Sequence, residues 1–91
     1  MQLKYTKHLL NKLEDIFSES DYVLRYEKGS FQSGYCVLKD TKIAIVNKYF
    51  PIDGKINALI EILKSVDIDT KHLSEKNRKL FFEIAQTGLE L

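Results

Sequence analysis

Between Pro51 and Val66 the chain carries Ile52, Ile56, Ala58, Leu59, Ile60, Ile62, Leu63 and Val66. At about 100° per residue these positions cover a wide arc of a helix. Asp53, Asn57, Glu61 and Lys64 form a narrow polar stripe. Such a helix has to be covered on more than one side. The expectation is a helix that packs on a sheet and is also touched by a neighbouring helix or by a second subunit. Pro51 suits its first turn, where the missing N–H has no partner to lose.

The remaining periodicities supply the rest of the frame. Leu9, Leu10, Leu13, Ile16 and Phe17 recur at the three-and-four spacing of one helical face, which predicts an amphipathic helix over about residues 3–19. The polar run Ser18-Glu-Ser-Asp21 ends it. Residues 22–27 have the aromatic and β-branched content of a strand, and Lys28-Gly29-Ser30 reads as a turn. A second strand over 31–39 places Phe31, Ser33, Tyr35 and Val37 on one face and Gln32, Gly34, Cys36 and Leu38 on the other. Asp40-Thr41 is a tight link to a third strand at 42–47, so the second and third strands pair as an antiparallel hairpin. Asp67-Ile-Asp-Thr70 breaks the following helix. Ser74 is an N-cap for a last helix that turns Leu80, Phe81, Ile84 and Ala85 inward, with Gly88 as its stop. The expected fold is one α+β domain over residues 1–91, in the order α-β-β-β-α-α, with a three-stranded antiparallel meander covered by helices.

Composition limits function more than it suggests it. The 91 residues hold 14 Lys plus Arg, 13 Asp plus Glu, one Cys and one Pro, and 44% are hydrophobic. That is enough apolar material for a folded domain without a disulfide. A net charge of +1 gives no overall field toward a polyanion, and no basic cluster exceeds what a solvated surface carries. The longest apolar run near the start is Leu9-Leu10, far short of a signal-peptide core, and no stretch is long enough to span a bilayer. A cytoplasmic protein is expected, with no membrane partner. Cys36, flanked by Val37 and Leu38, is expected as a buried thiol in a reducing compartment.

Candidates for chemistry are few. Cys36 has no Cys-x-x-Cys partner and sits on a predicted strand, while His8 and His72 lie on other elements. These three residues are too far apart in sequence to form the closely spaced pairs of a zinc site. Asp53-Gly54 has one glycine beside an acid that repels phosphate, so no phosphate loop is present. Lys76-Asn-Arg-Lys79 reads as a solvated helix face. No catalytic, metal or cofactor site is expected. Aromatic side chains are the remaining candidates for an interaction surface: Tyr22, Tyr26, Phe31, Tyr35 and Tyr49.

Ser33-Gly-Tyr-Cys-Val-Leu-Lys-Asp40 is similar to the RNP1 string of RNA-recognition motifs only in outline. Ser33 replaces the basic residue, Val37 the second aromatic, and Asp40 the last one. The string from Arg25 to Lys48 resembles a family of small bacterial proteins with a Gly-x-Cys strand, here Gly34-Tyr-Cys36, followed by an apolar hairpin strand and a helix. That resemblance implies a bacterial source and no particular activity. A more distant likeness is to the front half of ImmA/IrrE-type zinc peptidases. Ile45-Val-Asn-Lys-Tyr-Phe-Pro51 looks like their lead-in to the H-E-x-x-H helix, and Ile60-Glu-Ile-Leu-Lys64 falls where that motif would lie. Ile60 and Lys64 stand in place of both imidazoles and only Glu61 matches. The likeness therefore implies a non-catalytic relative or convergence on the same α-β-β-β-α frame.

The expected function is a non-catalytic accessory or protein-interaction domain that forms a homo-oligomer or binds a protein partner. This rests on the apolar excess of the helix after Pro51 and on the aromatic strands. The alternative is binding of single-stranded nucleic acid, with Tyr26, Phe31 and Tyr35 stacking on bases from an open aromatic sheet face.

Overall fold

A computed structural model describes residues 4–28 and 35–87. The elements are α1 (Lys7–Glu19), β1 (Val23–Glu27), β2 (Tyr35–Leu38), β3 (Ile43–Asn47), α2 (Ile52–Ser65), a 3-10 turn (Thr70–His72) and α3 (Glu75–Thr87). The expected order holds, with the 3-10 turn added. Part of the proposed 28–30 turn, the first residues of the proposed second strand, and Gly88 lie outside the described residues. Thr6, rather than residue 3, starts α1: its Oγ1 accepts the Leu9 N–H at 3.2 Å. Ser20 ends the helix, donating both its N–H and its hydroxyl to the Phe17 carbonyl.

The sheet is not the expected antiparallel meander. Its order is β1-β3-β2, with β1 parallel to β3 and β2 antiparallel to β3. The hairpin between β2 and β3 forms as expected, through a turn in which Lys42 takes a left-handed backbone, φ 55°. The correction concerns β1, which joins the far side of β3 instead of pairing with β2. The physical reason is burial. Ala44 and Val46 are fully enclosed while Ile43 and Ile45 are half-buried, so β3 takes the centre with a neighbour on each side. The outer strand β1 carries the charges, Arg25 and Glu27, where a sheet edge leaves them wet.

Side chains alternate across this sheet. Leu24 and Tyr26 of β1, Ala44 and Val46 of β3, and Tyr35 and Val37 of β2 face the helices and pack on the core. Above them α2 touches β3, α1 and α3, and α1 also touches β1. Ile56, Leu59 and Ile62 of α2 are fully enclosed. Much of the apolar excess of this helix is thus taken up inside the chain by two helices and the sheet. No described helix is long and apolar enough to cross a membrane.

Because Ile62 is fully enclosed on the helix that touches α1, α3 and β3, Ile62→Ala is expected to lower stability by about 2–5 kcal/mol. Urea unfolding followed by circular dichroism measures this. A loss within the scatter of exposed sites would contradict the central place given to α2.

Candidate functional site

The face of the sheet turned away from the helices has no cover among the described residues. Its register rows are Val23, Ile43 and Leu38, then Arg25, Ile45 and Cys36, then Glu27 and Asn47. Val23 is 56% exposed and Leu38 44%, with half-buried Ile43, Ile45 and Cys36 between them. The result is an aliphatic strip across three strands, bordered on β1 by an Arg25–Glu27 ion pair of 3.1 Å. Cys36 is a correction to the expected buried thiol. Its apolar neighbours Val37 and Leu38 suggested a core position, but strand alternation puts Cys36 opposite Ile45 on the uncovered side.

The aromatic candidates lie elsewhere. Tyr22 is buried, and Tyr26 and Tyr35 are half-buried against the core on the helix side. Phe31 lies outside the described residues. Tyr49 is 66% exposed in the turn after β3, where its N–H donates to Asn47 Oδ1 at 2.9 Å and the Lys48 ammonium lies 5.3 Å from its ring. On these strands the described aromatic side chains of the alternative reading therefore lie half-buried or buried on the helix side, and the uncovered face is aliphatic. Tyr26 is held from two helices: its hydroxyl donates to Glu14 Oε2 of α1, and the Lys55 ammonium of α2 sits 5.2 Å from its ring. Burial, and then the bond to Glu14, hold its hydroxyl well above the usual phenol range.

Other groups with chemical potential serve structure. Asn77, only 3% exposed, donates from Nδ2 to Asp15 Oδ2 at 2.8 Å and to Glu19 Oε1 at 3.0 Å. Glu19 Oε1 also accepts the Ser74 N–H at 2.8 Å. This clamp joins the end of α1 to the start of α3, where a carboxylate meets unpaired helix N–H groups. Ser74 caps α3 as expected, accepting the Asn77 N–H at 3.3 Å. Within the basic run, Arg78 is turned back onto the Thr70 and Leu73 carbonyls, both at 3.1 Å. Sequence reasoning missed Asn77 because an Asn between Lys76 and Arg78 resembles a solvated position. The available signal was its spacing three residues after the Ser74 cap.

Gly54 falls in the first turn of α2, and an added Cβ would come 3.1 Å from the Phe50 ring, so close packing explains the glycine. Glu61 is exposed beside a shallow groove of about 370 Å³ that also touches Tyr35 and Phe50. Among the described residues, no three His, Cys, Asp or Glu side chains gather as metal ligands. No protein-family model, curated protein or solved structure matches this chain.

The bonds from Ser74 and then Asn77 lower the Glu19 pKa below the ordinary 4.5. Its contribution to stability is therefore full above about pH 4.5 and fades as pH falls through the lowered folded value. Glu19→Gln is expected to flatten this acid limb. Asn77→Ala, which strips the buried end of the clamp, should cost about 1–3 kcal/mol at neutral pH. Urea midpoints between neutral and acid pH test both.

Proposed function

We propose that this chain is a non-catalytic protein-interaction domain that associates with copies of itself through its sheet. The observation that supports this is the uncovered aliphatic strip of Val23, Leu38, Ile43 and Ile45, crossing all three strands. Sheets that expose such a strip gain by stacking on another apolar layer about 10 Å away. A second copy is the occupant, because the strip's border carries one cation and one anion, Arg25 and Glu27. A surface with both signs is complementary to its own two-fold image.

Nucleic-acid binding receives less support. Stacking needs ring faces that a base can reach. Tyr22 is buried and Tyr26 and Tyr35 are turned toward the helices, leaving Tyr49 as the exposed member of the described candidates.

Light scattering on the full chain is expected to give a mass that rises above one chain with concentration. Leu38→Lys sets a charge in the strip at an exposed site. It should leave stability within about 0.5 kcal/mol and weaken the association. A single-chain mass up to high micromolar concentration would overturn the proposal.

A further inference from the structure

The outer edge of β1 is unpaired among the described strands, since β1 pairs only with β3. In a parallel ladder, the N–H and C=O of one residue point to the same neighbour and those of the next residue point away. Val23 donates to the Lys42 carbonyl and Glu27 accepts from Lys48, so the odd-numbered residues of β1 serve β3. The N–H and C=O groups of Leu24 and Tyr26 therefore point outward. Beside them runs a groove of about 460 Å³, lined among the described residues by α1, β1 and the segment joining them, including Glu14, Phe17, Leu24 and Tyr26. Among the described residues no strand lies along this edge.

We infer that β1 pairs antiparallel with β1 of a second copy about a two-fold axis at Tyr26, joining the two sheets into one of six strands. The charges select this register. Centring the axis on Arg25 sets Arg25 against itself, and centring it on Glu27 sets Glu27 against itself. Like charges directly opposite are unfavourable. Centring it on Leu24 leaves Arg25 opposite Val23. With the axis at Tyr26, Arg25 of each copy faces Glu27 of the other in a close pair without direct backbone bonds, on the uncovered face where both side chains lie. Tyr26 meets Tyr26 at the centre, and its bond to Glu14 holds it in place. Both aliphatic strips then lie on the same side, as one surface of doubled width.

This inference rests on the self-association proposed above but uses a different contact, and the test separates them. The protein is the full chain carrying Leu38→Lys, which removes stacking of the strips. It should remain dimeric by light scattering. Adding Arg25→Glu gives two acidic residues on β1 and adding Glu27→Arg gives two basic ones. Each should raise the dimer dissociation constant about tenfold or more. Mixing the two should restore dimers, because the two acidic side chains on β1 of one variant then face the two basic ones on β1 of the other. The ion pair within each chain stays broken in the mixture, so restoration reports contacts between chains alone. Circular dichroism checks that the variants fold, as expected for exposed side chains. If the Leu38→Lys chain is monomeric while the unmodified chain associates, the edge pairing is overturned and stacking stands; if mixing restores nothing, the edge pairing is overturned. An unmodified chain that is monomeric throughout overturns both.

Discussion

The arrangement of this protein depends on the burial of α2. Ile56, Leu59, Ile62 and Leu63 are enclosed, and each such side chain contributes about 1.5–3 kcal/mol when taken out of water. One sheet cannot enclose a helix that is apolar over so wide an arc. α1 and α3 therefore flank α2 on the same side of the sheet as α2 itself. Among the described residues every helix is committed to that side, and none is left for the other. The bare aliphatic strip of β1, β3 and β2 follows from the demands of α2.

The clamp at Asn77 belongs to the same economy of a small chain. α1 and α3 meet each other less extensively than each meets α2. Their junction is fixed by polar groups, with one buried amide shared between Asp15 and Glu19. A buried amide with both donors satisfied holds orientation as well as distance, which apolar contacts alone specify less sharply. The helix layer stays in register over β1, and Glu14 of α1 reaches the hydroxyl of Tyr26.

Periodicity made the elements legible but not their neighbours. The apolar stripes of α1 and α2 and the alternation of β2 and β3 point to faces, and those faces are buried largely as the spacing implies. Alternation says nothing of which strand lies beside which. The order β1-β3-β2 came instead from the strong burial of Ala44 and Val46, which singled out β3 as central. The same limit moved Cys36: its strand was legible, but which face the helices cover was not. Tyr26 and Tyr35 share a face with Ala44 and Val46, so they went inward, and the candidate surface became aliphatic. Asn77 was illegible for another reason. Its partners Asp15 and Glu19 are about 60 residues away, and no local pattern announces a bond across such a separation.

Charges on an edge strand usually keep other strands away, because a run of one sign repels its own copy in every register. β1 carries both signs two residues apart. A two-fold copy of this strand meets like charges when the axis sits on Arg25 or on Glu27, and opposite charges when it sits between them on Tyr26. The same two side chains that oppose random edge pairing thus favour one register. Selectivity of this kind costs no additional residue, which suits a chain whose apolar side chains are largely committed to α2.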